Sequence, residues 1–175
     1  DLADRIRESF ERKNKIRDEA LTQSRNLIRH AARAIRAIHR EDNGLAREHL
    51  DEADRLAEDL RQGLAEDPDL YFSGYAQDAL KEYVEAHVTL AAITDQPWPS
   101  PDDLQVEYPT YLNGLSEVVG ELRRRIMDIM RSGHSPEVER LLDIMDEIYA
   151  QLVTMDFPDA LTYGLRRRTD IARSI

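Results

Sequence analysis

The chain has 175 residues, enough for one domain with a substantial core and too few for two ordinary ones. Hydrophobic residues make up 41% and charged residues 34%, a balance that suits amphipathic helices and argues against a disordered tail or a membrane protein. Cysteine is absent, which excludes disulfides, thiolate catalysis and cysteine-based zinc sites and makes a reducing cytoplasm the expected setting.

No apolar run approaches the ~20 residues needed to cross a bilayer, and no signal-peptide pattern follows Asp1. The net charge is −11, which by itself argues against a nucleic-acid partner. The cations, however, are almost all arginine, with Lys13, Lys15 and Lys81 the only lysines. Abundant carboxylates with scarce lysine are expected of a salt-adapted cytoplasmic protein. At ~1 M salt the Debye length falls to ~3 Å, so overall repulsion of a polyanion fades and local patches decide what binds.

Proline and glycine punctuate the chain. Helical periodicity predicts a first helix from Leu2 to Glu41, closed by Asp42-Asn43-Gly44. A helix of that length spans ~60 Å, more than a small domain needs, so part of it should pack on a neighbour. A second helix is predicted from Leu45 to Gly63. Asp67-Pro68 opens a third that reaches Ile93, a cap residue followed by a proline suited to the first turn. Gln96 to Pro101 reads as a rigid loop. Pro109 opens a fourth helix running to Arg131, Ser135-Pro136 a fifth, and Phe157-Pro158 a last one through Ile175. No stretch alternates with the period of a strand, so the expected fold is all-α.

Ala20 to Arg40 holds no acidic side chain, although the chain as a whole is strongly acidic. Five arginines fall there: Arg25, Arg29, Arg33, Arg36 and Arg40. At ~100° per residue they share an arc of about 80°, with Leu27, Ile28, Ala31, Ala34, Ile35 and Ile38 filling the opposite side. Without acids on their own helix they must meet water, another helix or an anion. Arginine suits phosphate, because its planar fork bonds two oxygens at once. A second cluster, Arg166, Arg167, Arg168 and Arg173, is read as cations offsetting the dipole at a helix C-terminus.

Glu82 and Glu85 share one helical face, as do Glu117 and Glu121 on the next long helix. If those helices pack antiparallel, the two pairs can converge. Carboxylates ~5 Å apart repel by roughly 3 kcal/mol at an effective dielectric of ~20. A divalent cation would remove that penalty, and an all-oxygen site suits Mg²⁺ or Mn²⁺, which can assist hydrolysis of a phosphodiester. The competing reading is a pair of solvated glutamate faces. A di-iron site is rejected, because neither Glu85 nor Glu121 is followed three residues on by histidine. The five histidines show no metal-ligand spacing, and His39 reads as a residue at the edge of the core.

Glu82-Tyr83-Val84-Glu85-Ala86 and the segment Tyr111 to Leu122 resemble the two signature segments of the translin superfamily. Arg29 to Arg40 resembles the family's first helix, and Leu165 to Arg173 is similar to the end of archaeal members. The resemblance covers essentially the whole chain, residues 1–175, as a single translin-like domain. It implies a translin-type α-α bundle or superhelix of about six to seven helices with a long N-terminal helix. It also implies a hollow homo-octamer binding RNA or single-stranded DNA inside. In the translin-associated factor X type, acidic residues of these two segments hold Mg²⁺ and make the complex an endoribonuclease. Carried over, Glu82, Glu85, Glu117 and Glu121 are the metal-binding and catalytic residues. Glu117 stands where that pattern has aspartate, one methylene shorter.

Two functions are thereby expected. One is a metal-dependent endoribonuclease acting on single-stranded or unpaired RNA, with the five arginines holding phosphates. The alternative is a non-catalytic RNA- or single-stranded-DNA-binding protein of the same type, whose glutamates are protonated or salt-bridged.

Overall fold

Nine helical segments follow one another along residues 1–175 of the computed structural model, with no strand between them. They are α1 (Leu2–His39), α2 (Asn43–Gly63), α3 (Pro68–Tyr71), α4 (Gly74–Ile93), α5 (Pro101–Leu104), α6 (Tyr108–Met130), α7 (Pro136–Val153), α8 (Asp159–Thr162) and α9 (Leu165–Ser174). Three of these, α3, α5 and α8, are single turns of four residues. The six longer helices bear out the all-α expectation.

Two of the predicted helices differ from expectation in the same way. The helix expected from Asp67 to Ile93 breaks at Phe72-Ser73, because Ser73 is extended at φ −69°, ψ 151° and restarts the chain as the cap of α4. Its hydroxyl back-bonds to Leu70 O at 2.5 Å rather than serving the new helix. The last predicted helix breaks at Tyr163-Gly164, where two consecutive residues take positive φ, 52° and 81°. A right-handed helix cannot pass through two left-handed residues. Within the proline-rich loop, Ser100 and Asp103 form a capping box that winds Pro101–Leu104 into one turn.

Each long helix forms for a legible reason. In α1, Asp1 and Asp4 cap each other's backbone, and Leu27, Ala31, Ala34 and Ile38 make one fully buried stripe. Asp42 caps α2 by accepting from Leu45 N at 3.0 Å, and Ala46, Ala53 and Ala57 let α2 lie close along α1. The His30–His49 contact and the Arg12–Asp67 pair fix these two helices antiparallel. Up to Glu19, by contrast, α1 is almost wholly exposed, including Leu2, Ile6 and Phe10.

Helices α4 and α6 do not pack antiparallel as the sequence reading supposed. Thr110 meets Gln77, Gly114 meets Val84, and Glu117 meets Lys81, so both helices ascend together. The connection over 94–107 makes this feasible: its 14 residues reach up to ~46 Å, against the ~30 Å length of α4. The helices approach closely at Gly114. A Cβ there would sit 2.8 Å from Val84 Cβ and 2.9 Å from the Lys81 carbonyl oxygen. The core itself lies among α1, α2, α4, α6 and α7, around Leu27, Leu60, Leu80, Val84, Leu115, Leu122, Leu141 and Ile148.

Candidate metal centre and phosphate-binding surface

The parallel pairing sets the four glutamates beside one another at the α4–α6 seam. Glu85 is 7% exposed, while Glu82, Glu117 and Glu121 are half-buried around it. Burial, then the charges of Glu82, Glu117 and Glu121, push the Glu85 carboxyl up to about 8, so near neutral pH it mostly holds its proton. Lys81 bridges Glu82 on α4 and Glu117 on α6, so the two pairs face one another, through parallel rather than antiparallel helices.

Cations already partner most of this acidity. Lys81 Nζ lies 3.0 Å from Glu82 and 3.3 Å from Glu117. Burial alone would lower the Lys81 ammonium, but Glu82 and Glu117 outweigh it and raise it. Arg168 of α9 also pairs with Glu117. His39 donates Nε2–H to Glu121 at 2.5 Å, and Arg124 stands 3.8 Å from the same carboxylate. As placed, no three acidic or histidine side chains stand close enough together to ligate one ion.

By donor chemistry the residues nonetheless fit a hard divalent ion: four carboxylates, all oxygen, with Glu85 kept protonated by its burial and by the other three. Ligation would require Glu117 to turn away from Lys81 and Arg168. Glu117 has the reach for this, its longer side chain being 37% exposed.

Three members of this constellation escaped the sequence reading, among them Lys81, which counted there only as one of three lysines. His39, taken as a core-edge residue, is buried but delivers its ring to Glu121, leaving Nδ1 without a partner. Arg168, taken as a dipole cation, sits in α9 only because the Tyr163-Gly164 break ends the preceding turn and restarts the helix there. Neither contact has a local spacing that could have announced it, since they join residues 82 and 51 positions apart.

The arginine stripe lies as expected. Arg25, Arg29, Arg33, Arg36 and Arg40 are all exposed and none forms an ion pair, while Leu27, Ala31, Ala34 and Ile38 are buried behind them. Arg36 stands one turn before His39, so the same helix carries the free guanidinium row and one of the partners of the carboxylate cluster.

Parallel helices holding a crowded carboxylate seam, crossed by a long first helix, define an all-α protein of the translin type. The comparisons agree. The chain is 33% identical over 166 residues to the uncharacterized protein MJ0175 of Methanocaldococcus jannaschii, covering 93% of this chain and 72% of the relative. It superposes on AfC3PO solved in complex with duplex RNA with a TM-score of 0.92 and 32% identity, covering 99% of this chain and 90% of that one. A further AfC3PO structure gives a TM-score of 0.91 at 32% identity over the same shares. Apo-NeC3PO, at 23% identity and a TM-score of 0.88, shares the fold over 98% of this chain and 90% of its own. No family model matches the sequence. The chain belongs to the translin superfamily.

Proposed function

We propose that the protein binds RNA along the arginine face of α1 and, in an oligomeric shell, cleaves single-stranded or unpaired stretches as a Mg²⁺- or Mn²⁺-dependent endoribonuclease. The observation that carries the proposal is the α4–α6 seam, where the buried Glu85 lies among Glu82, Glu117 and Glu121, with Lys81 bridging Glu82 and Glu117. A purely structural site would be expected to carry an apolar residue in place of Glu85, because burying a carboxyl without a hydrogen-bond partner is costly. The five unpaired guanidiniums supply the phosphate contacts that an acidic chain otherwise lacks. AfC3PO, alike along essentially the whole chain, was solved with duplex RNA, which supports an RNA partner here.

Glu82, Glu85, Glu117 and Glu121 would hold the cation, whose Lewis acidity, when bound, serves phosphodiester hydrolysis. Lys81 and Arg168, freed from Glu117, would then face the phosphate and offset its charge. His39 fixes the orientation of Glu121 through the 2.5 Å contact. The exposed apolar residues Leu2, Ile6 and Phe10 on the projecting part of α1 suit contact with another copy of the chain, as a homo-octameric shell requires.

The test is incubation of labelled single-stranded and duplex RNA with the protein in Mg²⁺, then in EDTA, alongside Glu85→Ala. Cleavage that persists in EDTA or in the variant would sink the nuclease reading. The ion pairs of Lys81 and Arg168 with Glu117 favour a second reading, a binding protein without chemistry. In that case RNA, or single-stranded DNA, is held and never cut under any metal condition.

A further inference from the structure

Beside the carboxylate seam lies a cavity of about 310 Å³ that shares Lys81 and Arg168 with the proposed reaction and is otherwise lined by residues that reaction does not use. It opens between the start of α4 and the α8–α9 break. Its size sits at the lower end of the ~300–1,000 Å³ typical of small-ligand pockets, suited to one nucleotide-sized group rather than a helix or a duplex.

The chemistry of its lining is specific. Two aromatic side chains, Phe72 and Tyr163, line it while remaining 50% and 46% exposed, so their rings are not spent on the core. Phe72 is steadied edge-to-face against Tyr71 with ring centroids 4.9 Å apart. Tyr163 is the only aromatic residue at positive φ, 52°, a conformation that a bulky side chain adopts only where its surroundings impose it. The imposition is visible: Asn113, itself 4% exposed, donates Nδ2–H to Thr162 O at 2.8 Å and so ties the turn before Tyr163 to α6. Asp78 lines the cavity with an exposed carboxylate that enters no ion pair, and Lys81 and Arg168 stand where the cavity meets Glu117.

Aromatic rings, one free acceptor and two adjacent cations match the parts of a single nucleotide. Unstacked bases bind on aromatic side chains, a carboxylate accepts from an exocyclic amine, and lysine and arginine meet phosphate. We propose that this cavity is a subsite for one unstacked nucleobase bearing an exocyclic amine, its phosphate turned toward Lys81 and Arg168. The subsite rests on the RNA-binding reading and adds a base preference to it. Uracil, which lacks that amine, should be disfavoured.

The experiment is calorimetric titration of the whole protein with guanosine, cytidine and uridine 5′-monophosphates, with duplex RNA binding by fluorescence anisotropy in parallel. Wild type should bind the guanosine and cytidine nucleotides at least about fivefold more tightly than uridine. Phe72→Ala should weaken all three by about tenfold, within the span of base–aromatic stacking. Asp78→Asn should erase the preference against uridine. Gly74→Leu should block the cavity, since Gly74 lines it and a Cβ there meets nothing within 4 Å. Duplex binding should stay within twofold in all three variants and fall in Arg29→Glu/Arg33→Glu. If no nucleotide binds, or if binding is indifferent to Phe72 and Gly74, the subsite is overturned. If duplex RNA fails to bind while the monophosphates do, the RNA-binding reading falls and the nucleotide site stands.

Discussion

Raising the pH should strip a proton from Glu85 and destabilise the folded chain, because its charge would then lie buried and beside three other carboxylates. In the unfolded chain Glu85 titrates near 4.5, and in the fold it titrates at about 8. Its folded value is the higher one, so its contribution is fully present below 4.5 and is lost as the pH rises through 8. Between those limits the slope is ~1.4 kcal/mol per pH unit, which amounts to about 3 kcal/mol by pH 7 and roughly 5 kcal/mol above pH 8. Against the ~5–15 kcal/mol that stabilises an ordinary domain, that is a large share. Glu85→Gln isolates the effect, since glutamine keeps the shape of the protonated acid and never ionises. Guanidinium unfolding of both proteins from pH 5 to pH 9 should start with nearly equal stabilities and end with the variant several kcal/mol ahead. Mg²⁺ should shrink the gap at the alkaline end by favouring the ionised wild type. A gap that does not change with pH would show that Glu85 is neither buried nor set among the other carboxylates, and the seam argument would fail.

Four other outcomes follow from the same geometry. Gly114→Ala should lower stability by about 1–2 kcal/mol, because overpacking at 2.8 Å from Val84 outweighs the ~1 kcal/mol gain in helix propensity; thermal melts should fall by several degrees. Arg168→Ala should tighten Mn²⁺ binding, measured by calorimetry, by several-fold, since its guanidinium competes for Glu117; unchanged or weaker binding would contradict that competition. Arg29→Ala should leave stability within ~0.5 kcal/mol, because its side chain is exposed and unpaired, and a larger loss would mean the stripe is structural. Arg29→Glu/Arg33→Glu should reduce the slope of log affinity for RNA against log salt by about two, one for each phosphate contact removed.

Periodicity and capping made most of the fold legible. The buried stripe of α1, the close of that helix before Asp42 and the proline starts at Pro109 and Pro136 all lie where local chemistry places them. The breaks at Ser73 and Tyr163 were missed: Gly74 and Gly164 mark both points, but no proline interrupts the helical pattern there. Of the candidate site, spacing and missing acids marked the two glutamate pairs and the arginine face, and the resemblance singled out the four glutamates as a set. Their convergence could not be read correctly, because helix direction is set by where the 94–107 connection lies, and a connection of that length allows either sense. Nor could His39 and Arg168 be found, whose roles exist only in three dimensions.

The exposed leading part of α1 has a kinetic consequence. Its backbone amides up to Glu19 are hydrogen-bonded within the helix but have almost no side-chain packing over them. A lone copy should therefore fray there and exchange those hydrogens with deuterium far sooner than Leu27 to Ile38, which lie against α2 and α4. If Leu2, Ile6 and Phe10 become covered on association, protection of that stretch should rise with protein concentration while the rest of the helix stays unchanged. Exchange along this one helix would thus report the state of assembly.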